Sequence, residues 1–161
     1  MDALHVRSVL VTGSDRGIGL GLVTRFLEKR DPPEWVFATS LDLEGSHGKE
    51  LPNTDTVISF QKLKKLAGHH PNLVVLQLDV RDLKSIEAAT RKVEEHVKEH
   101  GLTLLINNAA ILIKFTCLVT ETAENMERQF NTNTIGTLQV SQPAQKYPGW
   151  QEGPKGNCLP K

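Results

Sequence analysis

Residues 8–21 read SVLVTGSDRGIGLG, an apolar run followed by a turn with three spaced glycines and the start of an amphipathic segment. The apolar run is short and β-branched, which predicts a buried strand. Gly13 would let the chain turn sharply, Gly17 would let a ligand approach the backbone, and Gly19 would let the new helix pack closely. The free N–H groups of that helix favour an anion such as a pyrophosphate. Since the same spacing also occurs in plain turns, its meaning depends on the residues downstream.

Composition restricts the classes of protein to which the chain can belong. Its 161 residues suffice for one domain with a hydrophobic core, and 19 Lys and Arg balance 19 Asp and Glu. This balance argues against a general attraction to nucleic acid or anionic membranes. No apolar run approaches the ~20 residues that span a bilayer, and residues 1–5 lack a signal-peptide pattern. Cys117 and Cys158 share no metal or redox spacing, so we interpret them as free thiols and expect a cytoplasmic location.

Four apolar runs alternate with segments of helical periodicity along the chain. The predicted strands cover residues 8–11, 35–39, 73–78 and 102–106. The predicted helices cover residues 18–30, a short segment around 60–66, the segment between Asp82 and Gly101, and 122–142. Residues 40–59 are predicted to form a polar loop. Strands that are almost continuously apolar are typical of a parallel sheet covered by helices on both faces, so the predicted fold class is α/β.

Two of the predicted helices have an apolar face that should pack on the sheet. In the first helix this face comprises Ile18, Leu22, Val23, Phe26 and Leu27. In the helix that Asp82 is expected to cap, it comprises Ile86, Ala89, Val93 and Val97.

The last predicted helix contains a stretch that is unfavourable for helix formation. Residues 131–137 read NTNTIGT, and Asn, Thr and Gly are all poor residues for a helix interior. Helical spacing nevertheless predicts one buried stripe, made of Met126, Phe130, Asn133, Thr137 and Val140. An Asn on the buried side of a weak helix indicates an irregularity near a functional site. The alternative is a packed amide with ordinary hydrogen bonds.

Four short motifs, in this order, resemble the short-chain dehydrogenase/reductase family. They are TGSDRGIG at 12–19, Asp79-Val80 after the third strand, NNAA at 107–110, and NTIG at 133–136. Residues 16–22 and 33–39 look closest to C-factor-like carbonyl reductases. The resemblance covers about residues 9–142. Within it, residues 52–60 look like an insertion relative to the C-factor-like carbonyl reductases.

This resemblance implies a Rossmann-like, doubly wound parallel sheet that is incomplete, with about four strands. Residues 1–142 would form the dinucleotide-binding half, truncated after the fourth strand and the helix that follows it. Residues 143–161 contain four prolines and three glycines, which predicts a disordered or irregular tail that adds no fifth strand.

The resemblance also implies a role for each matching residue. Asp79 would accept a hydrogen bond from the adenine amino group, Val80 would pack on the adenine ring, and Asn107 would lie beside the adenosine ribose. Asn133 would be the family's helix-borne member of the catalytic tetrad. The implied cofactor-binding set is Thr12, Gly13, Ser14, Arg16, Gly17, Ile18, Gly19, Asp79, Val80, Asn107 and Ala109. Taken singly, Asp79 could instead cap a strand end, and residues 107–108 could form a plain turn.

The sequence favours NADP over NAD as the nicotinamide dinucleotide. Arg16 precedes the second glycine and could pair with a 2′-phosphate. The family's NADP-preferring members often carry an Arg just after the second strand, where this chain has Leu41. Asp42 would repel a phosphate if it faced the ribose.

His96 and His100 are four residues apart on a predicted helix, a spacing that two metal ligands can share. The surrounding face is charged and no third ligand is evident, whereas a zinc site needs three or four convergent ligands. We therefore interpret them as a solvated pair and expect no metal site.

Most of the residues that perform the family's hydride transfer have no counterpart in this sequence. The family uses a Ser and a Tyr-x-x-x-Lys pattern, but the only tyrosine is Tyr147 and Gln151 stands four residues after it. Only Asn133 of the tetrad is present, so the chain alone is expected to bind cofactor without turning over a carbonyl substrate.

Two further hypotheses remain open. The fourth strand would form an exposed apolar edge, and the last helix would lack packing on one side. The chain could therefore be a non-catalytic interaction protein that forms a homo- or hetero-dimer through the 122–142 helix, for example with a full-length subunit. It could also be an unstable chain without a function of its own.

Overall fold

A four-stranded parallel sheet with helices on both faces forms the body of the protein. The computed structural model describes residues 6–41, 54–113, 119–144, 150–152 and 158–160. The sheet strands are β1 (Ser8–Val11), β2 (Trp35–Ser40), β3 (Leu73–Gln77) and β4 (Leu104–Ile106). Their order is β3-β2-β1-β4, and all three pairings are parallel. The predicted Rossmann-like α/β fold, with four parallel strands in the described sheet, is therefore confirmed.

Helices connect consecutive strands and continue beyond β4. They are α1 (Gly17–Leu27), α2 (Thr54–His69), α3 (Leu83–Val97), α4 (Ala123–Phe130) and α5 (Gly136–Ala144). A 3₁₀ turn at Lys98–His100 ends α3, and a π-helical turn at Asn131–Ile135 joins α4 to α5. Asp82 caps α3 as predicted, because its carboxylate accepts a hydrogen bond from the backbone N–H of Lys84.

Side-chain alternation along the strands divides the core into two layers. Leu10 and Phe37 are paired in register and face the layer covered by α3 and α5. Val9 and Val11 point the other way, into the layer covered by α1 and α2. Because β1 lies between β2 and β4, all four of its residues are buried. The loop that follows β1 therefore starts from the most enclosed strand of the sheet.

Several predicted boundaries differ from the structure. The loop predicted over residues 40–59 is wrong in its last part, since α2 begins at Thr54 although its first turns are rich in β-branched residues that disfavour helix. The first helix ends at Leu27, three residues earlier than predicted. The last helix reaches Ala144 and so contains Pro143.

The predicted core face of α1 is also wrong at its first residue. Val23 and Leu27 are buried, and Leu22 and Phe26 are partly buried, but Ile18 is 77% exposed. Ile18 lies in the first turn of the helix, where the glycine loop has carried the chain beyond the end of β1. The predicted face of α3 is confirmed, because all four of its apolar residues are buried.

The irregularity predicted in the last helix is confirmed by the π-helical turn. The predicted stripe is wrong in part, because Met126, Phe130 and Asn133 are exposed. Thr132, Gly136 and Val140 are the buried residues of this segment. A π turn inserts an extra residue into the helix, which rotates the residues before it relative to those after it. A stripe drawn at constant α-helical spacing therefore cannot follow the buried side.

β4 is an edge strand within the described residues, as predicted. It pairs with β1 alone, and its three apolar residues are only half buried. Farther along the chain, β5 (Trp150–Glu152) pairs antiparallel with β6 (Cys158–Pro160). This small pair was not predicted, although it adds no strand to the main sheet.

Some expectations fall on residues that the structure does not describe. Asp42, Cys117 and the tail residues 145–149, which include Tyr147, belong to this group. The tail residues 153–157 and 161 and the side chain of Cys158 belong to it as well. Among the described segments, no helix has the length and apolar character needed to cross a bilayer.

Gly136→Ala is expected to lower the free energy of unfolding by about 1–3 kcal/mol, because it overpacks the contact between α5 and the end of β3. A Cβ at this position would lie 2.7 Å from Cγ2 of Val80 and 3.1 Å from its carbonyl oxygen. Urea unfolding measures the effect. Gly21→Ala is the control, since its Cβ would meet nothing within 4 Å and should stabilise α1 by about 0.5–1 kcal/mol. Equal unfolding midpoints for Gly136→Ala and the wild type would contradict this account of the packing.

Candidate functional site

The three glycines after β1 meet three different structural demands. Gly13 and Gly17 have positive φ angles of 63° and 54°, which glycine adopts without steric cost. A Cβ on Gly13 would lie 2.8 Å from Cα of Ala109, so the loop after β4 touches the turn directly. A Cβ on Gly19 would overlap the carbonyl oxygen of Gly13 and lie 2.6 Å from Nδ2 of Asn108. Gly17 faces open space, so it is the glycine that leaves room for a ligand.

Thr12 and Asn108 join the glycine turn to the end of β4. The hydroxyl of Thr12 accepts hydrogen bonds from the backbone N–H groups of Asn108 and Ala109, both at 2.9 Å. In return, Nδ2 of Asn108 donates to the carbonyl oxygens of Thr12 and Gly13, also at 2.9 Å. Because these four bonds link residues about 96 positions apart, the turn is held as part of the sheet. The side chains of Thr12 and Asn108 thus shape the turn.

Ser14 connects the same turn to β2. Its backbone N–H donates to the carbonyl oxygen of Thr39 at 2.7 Å, and its hydroxyl donates to the carbonyl oxygen of Val11. The hydroxyl of Thr39 in turn accepts from the N–H of Gly13 at 3.3 Å. Thr12 and Ser14 are both buried, so their hydroxyls point inward. Both residues belong to the predicted cofactor-binding set, but their side chains stabilise the glycine turn and are not exposed to solvent.

The N-terminus of α1 has no side-chain cap. Arg16 occupies the N-cap position in an extended conformation and makes no capping hydrogen bond, and the first turn has no acidic residue. The first N–H groups of a helix lack intrahelical partners and attract anions. The guanidinium of Arg16 donates to Oδ2 of Asp15 through Nε at 2.8 Å and Nη2 at 2.7 Å. A cation, uncapped N–H groups and the open space at Gly17 therefore meet at one place.

Asp79 lies just beyond the carboxyl end of β3, and Arg81 holds its side chain. Nε of Arg81 donates to Oδ1 of Asp79 at 3.1 Å, and Nη2 donates to Oδ2 at 3.0 Å. The hydrogen bonds that Arg81 donates to this carboxylate, and then the negative charge of the carboxylate, raise the pKa of Arg81 above its ordinary value, against a smaller opposing effect of burial. Arg81 was not among the site residues predicted from the sequence.

Val80 lies in the turn after β3, where its side chain is buried and contacts Gly136 in the core layer beneath α5. Only 7% of its surface is exposed, and its packing on an adenine ring stays a prediction.

Asn133 and Asn107 both make contacts near the end of β4. Oδ1 of Asn133 accepts from the N–H of Ile111, and Nδ2 donates to the carbonyl oxygen of Ile111, both at 2.9 Å. The exposed amide thus pairs with the backbone in the manner of a neighbouring strand. Nδ2 of Asn107 donates to the hydroxyl of Ser141 at 3.0 Å, which ties the end of β4 to α5.

His96 is half-buried and not fully solvated as predicted. Its ring packs edge-on against Trp35 and Phe37, with centroids 4.7 and 5.7 Å apart, because the last turn of α3 passes over β2. His100 is exposed in the 3₁₀ turn. Within the segments that the structure describes, no three His, Cys, Asp or Glu side chains come together to hold a metal ion.

Comparison with known proteins identifies the family. A family model described as short chain dehydrogenase matches residues 54–159, about two thirds of the chain. The chain belongs to this family. Among solved structures, it is similar to an NADPH-bound carbonyl reductase from chicken fatty liver, with a TM-score of 0.75 and 48% identity, over 88% of this chain and 48% of that one. The carbonyl reductase Sniffer of D. melanogaster matches with a TM-score of 0.73 and 28% identity, over 87% and 51%.

Curated proteins also match the chain. The 17-beta-hydroxysteroid dehydrogenase type 6 of Rattus norvegicus is 33% identical over 138 residues, covering 86% of this chain and 38% of that protein. The chain therefore spans about half the length of the two carbonyl reductase structures given above, and 38% of this curated relative.

The structure brings most of the predicted short-chain dehydrogenase residues to the carboxyl edge of the sheet. Arg16, Gly17 and Ile18 are exposed there, whereas Asp79 follows β3 and Asn107 follows β4, the two edge strands on opposite sides of the sheet. Sequence reasoning missed three residues that support them: Asn108, Thr39 and Arg81. Asn108 lay inside the NNAA motif and could have been found there, whereas the contact of Thr39 depends on how distant segments meet and that of Arg81 on the shape of the turn after β3.

Proposed function

We propose that this chain binds NADP(H) at the carboxyl edge of its sheet. The observation that carries the proposal is the uncapped N-terminus of α1 beside the open space at Gly17. Its N–H groups and helix dipole suit the pyrophosphate of a dinucleotide. The likeness to an NADPH-bound carbonyl reductase at 48% identity supports the same assignment. We also propose a cytoplasmic location.

Different residues at this edge bind different parts of the dinucleotide. The pyrophosphate lies at Gly17, the adenine amino group is bound by Asp79, and the ribose lies near Asn107. The guanidinium of Arg16 pairs with the 2′-phosphate, which favours NADPH over NADH. Leu41 is exposed at the end of β2 and supplies no second cation there. Because Asp15 already neutralises part of the charge of Arg16, the preference for NADPH is modest.

Nicotinamide fluorescence tests this proposal. Titration of the folded chain with NADPH should give a saturable signal, and NADH should bind more weakly. Circular dichroism on the same sample shows whether the protein is folded. If a folded sample gives no saturable signal with either dinucleotide, the proposed function is wrong.

The 161 residues are expected to show no carbonyl reductase turnover on their own. The Tyr-x-x-x-Lys pattern does not occur in the sequence, and the amide of Asn133 is already bonded to the backbone of Ile111. Loss of general acid catalysis alone lowers rates by about 10²–10⁴-fold, and loss of the positioning that depends on it lowers them further. NADPH oxidation at 340 nm with reactive aldehydes and quinones measures the activity. Turnover that co-purifies with the chain would contradict the prediction.

A second candidate function is a non-catalytic interaction through the last helix. Met126, Phe130 and Leu138 are more than half exposed on α4 and α5. Large apolar side chains repeated on one helical segment favour contact with another protein. Light scattering of the chain alone and mixed with a full-length carbonyl reductase tests this function, and a constant monomer mass in both samples would contradict it.

A further inference from the structure

Asp15 carries a buried negative charge at the start of the first helix. Its side chain is only 9% exposed, although it lies two residues before the open space at Gly17. Oδ2 of Asp15 accepts hydrogen bonds from Nε of Arg16 at 2.8 Å and from Nη2 of Arg16 at 2.7 Å. Water and salt screen a buried charge less than an exposed one. The carboxylate therefore acts strongly on any charged group of a ligand that comes near it.

The N-terminus of α1 explains why a negative charge is favourable here in the protein without ligand. α1 has no side-chain cap and no acidic residue in its first turn, and Asp15 directly precedes its N-cap residue, Arg16. A negative charge near the N-terminus of a helix interacts favourably with the helix dipole. The phosphates of a dinucleotide would bind at the same end of the helix. A bound phosphate would therefore meet a negative charge of the protein.

The 2′-phosphate of NADP(H) would lie close to this carboxylate. Hydrogen bonds between a guanidinium and an anion are about 2.8 Å long, so two anions on one guanidinium are about 5–8 Å apart. Asp15 is one such anion on Arg16, and the 2′-phosphate would be the other. Arg16 takes part in a further interaction, which does not change this separation. Near a protein surface, two like charges at this separation repel each other enough to change an affinity about tenfold.

We propose that Asp15 is a specificity-determining residue whose carboxylate repels the 2′-phosphate directly and thereby limits the selectivity for NADPH over NADH. This inference rests on the proposed NADP(H) site, in which Arg16 pairs with the 2′-phosphate. NADPH and NADH share the adenine, the pyrophosphate and the nicotinamide, and they differ only at the 2′ position. The repulsion therefore weakens the binding of NADPH selectively. Removal of the charge leaves the attraction of Arg16 for the phosphate without this opposing effect.

Titration of NADPH and NADH into the wild type and Asp15→Asn, followed by nicotinamide fluorescence, tests the proposal. The readout is the Kd of NADH divided by the Kd of NADPH. Asn has the shape of Asp and keeps a side-chain oxygen that accepts from Arg16, but it carries no charge. We expect this ratio to rise about tenfold or more in Asp15→Asn, because NADPH binds more tightly. Circular dichroism shows whether each variant is folded.

Two further variants separate the charge of Asp15 from its hydrogen bonds and from the net charge of the chain. Asp15→Ala removes the charge together with both hydrogen bonds to Arg16, and its ratio should also rise. If Asp15 mainly held Arg16 toward the phosphate, the ratio would fall in this variant. Glu28→Gln removes one negative charge at the other end of α1, more than about 15 Å away, so its ratio should match the wild type.

The outcomes distinguish this inference from the proposed function. Saturable NADPH binding with an unchanged or lower ratio in folded Asp15→Asn overturns the inference and leaves the proposed function intact. Equal gains in affinity for both dinucleotides would show that Asp15 acts on the shared pyrophosphate, which also overturns it. The same holds for a lower ratio in Asp15→Ala, or for an equal rise in Glu28→Gln. If Asp15→Asn does not fold, the ratio in Asp15→Ala decides. If the folded wild type binds neither dinucleotide, the proposed function and this inference are both wrong.

Discussion

Gly19→Ala is expected to lower the free energy of unfolding by about 3 kcal/mol and to abolish saturable NADPH binding. The added methyl would overlap the carbonyl oxygen of Gly13 and approach Nδ2 of Asn108 to 2.6 Å. Neither atom can move away easily, because Nδ2 of Asn108 itself donates to that carbonyl oxygen. The glycine turn must therefore separate from the loop after β4, and the N–H groups of α1 lose their alignment.

Urea unfolding and NADPH fluorescence measure the two effects of this substitution. Gly21→Ala, two residues later in α1, is the matched control, because its methyl meets nothing within 4 Å. We expect the control to bind NADPH as the wild type does. A Gly19→Ala variant with wild-type stability and affinity would show that α1 does not need this close approach.

Asn108→Asp should cause the second large loss, about 3 kcal/mol or more of unfolding free energy. Nδ2 donates to the carbonyl oxygens of Thr12 and Gly13, so the carboxylate would place an acceptor against two acceptors. Asn108→Ala removes the donors without the repulsion and should cost about 1–3 kcal/mol. The difference between the two variants isolates the electrostatic part of the effect.

Asn107→Asp supplies the control for that comparison. Asn107 is the preceding residue of the same motif, but its amide is exposed and donates only to the hydroxyl of Ser141. Its substitution should change the unfolding free energy by less than about 1 kcal/mol. Urea titration of the three variants measures the series. Equal losses at positions 107 and 108 would contradict the role assigned to Asn108.

Local sequence chemistry was enough to predict the main features of the fold. The strand preceding Gly13 is apolar and β-branched, and the face of α3 from Ile86 to Val97 repeats at helical spacing. The unfavourable residues 131–135 likewise indicated the irregularity that the structure contains as a π turn. These features depend on neighbours within a few residues, so the sequence alone carries them.

Side-chain direction was predicted less well, because it depends on contacts between distant segments. Ile18 was placed on the core face of α1 by helical spacing, yet it is exposed. The motif did not indicate that the side chain of Val80 is buried against Gly136. Asn133 was placed on the buried side because a constant helical period was assumed across a π turn. His96 was interpreted as solvated because the residues around it in the sequence are charged. Its contact with Trp35 could not be predicted, because it depends on the packing of α3 on β2.

The roles in the candidate site were predicted as a set and stay predictions individually. The resemblance could bring Gly17, Asp79 and Asn107 to one edge of the sheet because the carboxyl ends of parallel strands meet there. It could not indicate that Arg81 holds Asp79, since that bond depends on the turn between β3 and α3. The length of α2 was missed because its first turns lie in what resembled an insertion.

We propose that the open space at Gly17 receives the pyrophosphate of NADP(H). Calorimetric titration of NADPH into the wild type and into Gly17→Ala tests this most directly. The added methyl meets no protein atom within 4 Å, although the positive φ of 54° should cost about 1 kcal/mol of stability. We predict saturable binding by the folded wild type and an affinity at least about tenfold lower in the folded variant, because the methyl occupies the place of the phosphate. Equal affinities, or no binding by the folded wild type, would contradict the claim.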